Sequence, residues 1–197
     1  MVDYTKILLN LEFVNISTEE FTIFEWKPPG SLKSYILDLN IVKKNPVSNI
    51  FFHIFRGNMK IVHIRLKNLI YTIGSNTEIQ FQLLEALIEQ VSKVFNETYD
   101  IDSYIKYGNF SIAVFNPFKE EIKKIIKTFN SLDLVHEIKV SCMVCNTILP
   151  ISVKKSFIEN SESYPVPLVY THKGHAILCF IDKNYDVRGV ELVNTTG

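Results

Sequence analysis

The apolar pattern of this chain changes period at Ser75-Asn76-Thr77-Glu78, and few folds accommodate what lies on either side of that point. Before it, apolar residues recur at every second position. Ile7, Leu9, Leu11 and Phe13 stand against Leu8, Asn10 and Glu12, and Tyr35, Leu37, Leu39 and Ile41 against Ile36, Asp38 and Asn40. A period of two puts successive side chains on opposite faces and is the mark of a strand. Phe21 to Trp26 is a short aromatic run closed by the turn Pro28-Pro29-Gly30, and Ile50 to Phe55 and Met59 to Leu66 flank Arg56-Gly57-Asn58 as the arms of a hairpin. Leu69 to Ile73 follows after Lys67-Asn68. Polar turns this short between apolar runs predict an antiparallel meander, since a parallel crossover needs a dozen residues or more.

After the switch the period is helical. Ser75 and Glu78 have the spacing of a capping box, and Leu84, Leu87, Ile88, Val91, Val94 and Phe95 then recur along one stripe, with Gln82, Glu85, Glu89 and Lys93 opposite. The pattern predicts a long amphipathic helix over 77–97. A strand over 110–115 follows a tyrosine-rich loop around Tyr104 and Tyr107. Asn116-Pro117 then opens a second helix, whose apolar face is Phe118, Ile122, Ile125, Ile126 and Phe129. From Glu137 the chain returns to β, with runs at 138–142, 148–153, 168–172, 175–181 and 187–193. The expected class is α+β, an antiparallel meander with two amphipathic helices over 1–132 and a small all-β extension over 133–197.

Composition limits the partners. The 197 residues carry 21 basic and 21 acidic side chains, a net charge of zero, which disfavours nucleic acid and acidic membrane surfaces. Only three of the basic residues are arginine, so planar clamps for phosphate or carboxylate are scarce. Three cysteines, an odd number, argue against a disulfide framework and for a reducing compartment. The segment from Met1 to Val14 alternates and reads as a strand and not as a signal peptide, and no window has the roughly 18 apolar residues of a membrane helix. A cytoplasmic chain without an integral membrane segment is expected. No Gly-rich phosphate loop is present, and Glu19-Glu20 and Glu120-Glu121 are adjacent pairs on solvent-facing surfaces.

The run Lys67-Asn68-Leu69-Ile70-Tyr71-Thr72-Ile73-Gly74, the helix ending Val94-Phe95-Asn96-Glu97-Thr98-Tyr99, and then Gly108-Asn109-Phe110 with Phe115-Asn116-Pro117-Phe118 resemble the second half of a longin (SNARE-like) domain. The resemblance covers 48–130. It implies a longin-like arrangement and a noncatalytic interaction module that binds a small GTPase or a partner subunit in membrane trafficking or protein targeting, and it carries no individual binding residue across. One departure stands out: a longin domain has a helix between its second and third strands, and 27–47, the only place for it, holds Pro28, Pro29 and Pro46 and alternates like a strand.

The side chains with recognisable chemistry lie in the C-terminal part. Cys142-Met143-Val144-Cys145 is followed, after 26 residues, by His172-Lys173-Gly174-His175. Two thiolates and two imidazoles are a ligand set for tetrahedral Zn2+, and a zinc-ribbon-like fold would hold them as a structural site. Lys173-Gly174 suits the centre of a two-residue hairpin turn, which would make His172 and His175 a cross-strand pair. The cysteines converge only if the chain turns tightly between them, and Asn146 tolerates the left-handed backbone such a turn needs. Two other readings stay open at this stage. The cysteines can be small apolar core residues beside surface histidines. Cys142 or Cys145 with His172 or His175, oriented by Asp182 or Asp186, can instead serve a hydrolase or redox enzyme. Arg188 reads as a surface ion-pair partner or a recognition arginine, and assembly through a sheet edge as a homo- or hetero-oligomer is a further expectation.

Overall fold

In the computed structural model, which describes residues 3–29, 47–107 and 111–193, the contact pattern divides the chain into two compact units, Asp3–Leu132 and Asp133–Gly197. Each is taken by itself.

In the N-terminal unit a short helix α1 (Tyr4–Leu8) precedes strands β1 (Leu11–Ser17), β2 (Thr22–Trp26), β3 (Phe51–Arg56), β4 (Met59–Leu66) and β5 (Leu69–Asn76). They form one antiparallel sheet in the order β2-β1-β5-β4-β3. The row Trp26, Val14, Ile73, Val62 and His53 runs straight across it, and the next row along is Asn15, Thr72, His63 and Phe52. Because side chains alternate, these two rows face opposite ways. Both faces are buried at β1, β4 and β5, so that Asn15, His63, Thr72 and Ser75 are buried along with the apolar residues of these strands.

Helix α2 (Phe81–Thr98) and, after the short helix α3 (Ile101–Tyr107), helix α4 (Phe118–Thr128) pack on the first of these faces. Tyr71 meets Phe95 edge-on at 6.2 Å, and Phe24 meets Phe118 at 5.2 Å. Phe95 also lies 5.7 Å from Phe115 and 4.9 Å from Phe118, so one aromatic cluster joins sheet and helices. Helix α1 is tied down where the Asn130 side-chain oxygen accepts from the Tyr4 amide at 3.0 Å.

The C-terminal unit holds a hairpin, β6 (Val135–Ser141) with β7 (Ile148–Lys154), a short helix α5 (Lys155–Glu159) and a three-stranded sheet in the order β10-β9-β8. Those strands are β8 (Val166–His172), β9 (His175–Ile181) and β10 (Val187–Val193). Ile138, Val140, Ile151, Val153, Ile177, Cys179 and Ile181 form their shared core, and Cys142 belongs to it.

The expected fold class is overturned. An α+β meander with two helices in a longin-like arrangement does not describe a chain in which strand outweighs helix and is divided among three separate antiparallel sheets. The five-stranded sheet is not a simple meander, since β1 pairs with β5, more than fifty residues away in sequence. The described residues carry five helices, and the C-terminal unit contains α5, so it is not all-β.

Several local expectations fail with it. Residues 4–8, expected as part of a strand over 1–14, are helical; the alternation starts only at Ile7, so the residues before it carry no strand period. The capping box is not used: Ser75 lies in β5 paired with Lys60, and α2 begins at Phe81 after Gln80, which makes no side-chain cap. The expected strand over 110–115 is a 3-10 turn at Ile112–Phe115. The strand expected over 35–41, most of the 27–47 segment and Gly108-Asn109-Phe110 lie outside the described residues.

Candidate metal centre

Cys142 follows directly on β6, and the chain reverses before β7. The Asn146 amide donates to the Cys142 carbonyl at 2.8 Å and the Cys142 amide to the Thr147 carbonyl at 2.9 Å, which closes a tight knuckle around Met143-Val144. Asn146 takes the left-handed backbone the reversal requires, with φ 52°. The two cysteines, which a straight strand would point to opposite faces, are thereby turned toward each other.

Across the unit, β8 and β9 meet in a two-residue turn. Lys173 has φ 46° and Gly174 φ 79°, the doubly left-handed backbone of a type I′ hairpin. His172 and His175 are register partners at its base, with rings 6.4 Å apart. Sequence spacing therefore placed the turn and the pair correctly, because both depend on a few adjacent residues.

These two elements bring Cys142, Cys145 and His175 together, each offering a ligand atom within 4.8 Å of the others. The closest approach is 3.6 Å, from Cys142 Sγ to His175 Nδ1. Tetrahedral Zn2+ with Zn–S of about 2.3 Å and Zn–N of about 2.0 Å separates a sulfur from a nitrogen by about 3.5 Å. Cys142 is buried, Cys145 exposed and His175 half-buried, so the centre lies between core and solvent.

His172 is not a member of that tight group. Its Nε2 is nevertheless buried with no hydrogen-bond partner from the protein, and its ring is among the groups that stabilise the Cys145 thiolate. The Cys145 thiol is pulled down to about 6, first by the Thr147 side chain and backbone, against desolvation, and then by Cys142 and His172. Thr147 Oγ1 lies 3.3 Å from Cys145 Sγ. Its role was missed in the sequence, although its place two residues after the second cysteine was a usable signal.

The third cysteine and the acidic residues near the hairpin are engaged elsewhere. Cys179 is deep in the core, where burial raises its thiol to about 11. Asp182 accepts from the Asn184 amide at 2.8 Å, the Asp186 amide at 3.0 Å and Arg188 Nε at 2.7 Å, so it shapes the β9–β10 turn, and Arg188 is an ion-pair residue.

In the N-terminal unit a second polar group was also missed. His53 Nε2 lies 2.8 Å from Glu85 Oε1, with the His53 ring stacked on Phe81 at 4.1 Å. Glu85 was expected on the solvent face of its helix but is buried. Its spacing from Ile88 and Ser92 follows the buried stripe, and charge alone hid that.

Among the described residues no helix is long and apolar enough to cross a membrane. No protein-family model matches the chain, and comparison with curated proteins gives no match.

Proposed function

We propose that the C-terminal unit binds one structural Zn2+ ion through Cys142, Cys145, His175 and His172, and that the chain is a noncatalytic protein-interaction module. The observation that carries the metal reading is the convergence of three ligand atoms within 4.8 Å from two separate turns. Two supports stand beside it. The buried His172 Nε2 lacks a protein partner, which is the condition of a nitrogen awaiting a ligand. The donor set of two thiolates and two imidazoles suits zinc, and four protein ligands leave no open position for water or substrate. Such a site contributes folding free energy directly by tying the β6–β7 knuckle to the β8–β9 turn.

The test is metal content together with structure. Purified chain is expected to carry one zinc per molecule and to lose it in the Cys142→Ser variant along with ordered β6–β10 amide signals. A metal-free wild-type chain folded in that region would overturn the reading. A zinc-loaded chain with a hydrolytic or redox activity abolished by thiol alkylation would overturn its noncatalytic half and favour the Cys/His enzyme considered from sequence.

The interaction role, with a small GTPase or partner subunit in trafficking or targeting, is carried by the sequence resemblance over 48–130. Capture with GTP-loaded and GDP-loaded small GTPases tests it, and no binding in either nucleotide state removes the GTPase.

A further inference from the structure

On the five-stranded sheet, Asn15 of β1, Thr72 of β5 and His63 of β4 are register partners in a single row, so their side chains stand beside one another on one face. All three are more than nine-tenths buried, with relative exposures of 4%, 1% and 4%. Asn15 Oδ1, Thr72 Oγ1 and both ring nitrogens of His63 have no hydrogen-bond partner from the protein. The Asn15 amide nitrogen donates to Thr22 Oγ1 at 3.5 Å, and the His63 ring is stacked on Phe52 at 5.1 Å. On the same face, Phe13 and Ile61 flank the row on one side, and Ser17, Ile70 and Arg65 form the next row on the other.

A single buried orphan can be a local irregularity. Four such atoms on three adjacent strands in one row are a built polar site, because each would otherwise carry its full desolvation penalty away from water. Cross-strand neighbours on one face have Cβ atoms about 4.5–5.5 Å apart, too far for short side chains such as Asn and Thr to bond directly when they stand parallel. One water with two hydrogen bonds of about 2.8 Å spans about 4.6 Å. The chemistry also alternates suitably: Asn15 Oδ1 accepts, Thr72 Oγ1 donates and accepts, and neutral His63 does one at each nitrogen.

We infer that this row is an internal hydration site, with one water bridging Asn15 to Thr72 and a second bridging Thr72 to His63. Such waters make two to four bonds to otherwise unsatisfied groups and exchange slowly with solvent. The site also pins strand register, since a slip of one residue in β5 would carry Thr72 to the opposite face and strand both neighbours.

Water-proton and 17O magnetic relaxation dispersion of the whole chain counts long-lived internal waters, and a high-resolution crystal structure locates them. The wild-type chain is expected to show two ordered waters at the row. Thr72→Val, which keeps the β-branched shape and removes the hydroxyl, is expected to lose at least one long-lived water, while Thr72→Ser retains both. An unchanged count in Thr72→Val overturns the inference. So does a wild-type crystal structure in which the three side chains bond directly to protein groups, or in which the density between them is an organic ligand or a cation.

Discussion

A neutral imidazole inside a sheet responds to acid in one direction only. His63 is 4% exposed, and burial, with the nearby His53 as a lesser cause, lowers its pKa from 6.5 to about 4. The unfolded chain takes up this proton at a higher pH than the folded chain does. The stability contributed by keeping His63 neutral is therefore complete above pH 6.5, declines as pH falls, and is gone below about pH 4. By linkage the whole effect is at most about 3 kcal/mol. Urea unfolding at pH 7 and pH 4 is expected to show a smaller loss of stability in His63→Gln than in wild type. Equal losses in the two proteins would mean that His63 protonates without penalty in the folded state.

Two elements depend on backbone geometry that a single side chain can break. A Cβ added at Gly74 on β5 would lie 2.0 Å from Phe13 Cε1, and the Phe13 ring is fully buried and cannot swing away. Gly74→Ala is expected to destabilise the N-terminal unit by about 1–3 kcal/mol, the usual range for overpacking. Adding Phe13→Leu should recover part of the loss, and a fully additive double mutant would place the strain elsewhere. At the knuckle, Asn146 holds φ 52° without being a ligand. Asn146→Val puts a β-branched residue in that conformation and is expected to weaken zinc binding measurably in a competition titration with a chromogenic chelator. Unchanged affinity would show that the two cysteines converge without this turn.

At the scale of the molecule, the proposed ligand residues all lie in the unit Asp133–Gly197, so the consequences of removing the proposed zinc should be confined there. Hydrogen exchange with and without chelator is expected to show lost amide protection over β6–β10 and unchanged protection over β1–β5. Uniform loss across both would contradict two compact units. What the sequence alone determined about this protein is local. The C-x2-C knuckle with Asn146, the Lys173-Gly174 turn pairing His172 with His175, and the helical stripe through Leu84, Leu87, Ile88 and Val91 all rest on interactions within a few residues. Tertiary structure decided the rest. The pairing of β1 with β5 follows from which strands must be buried on both faces, a choice alternation does not encode. It also decided Ser75, where ladder pairing with Lys60 outweighed a helix cap, and Glu85, whose charge reads as solvent-facing until His53 is brought beside it from another strand. The candidate site divides the same way: each half is written in four consecutive residues, but the approach of Cys142, Cys145 and His175 to within 4.8 Å exists only because two sheets share one core.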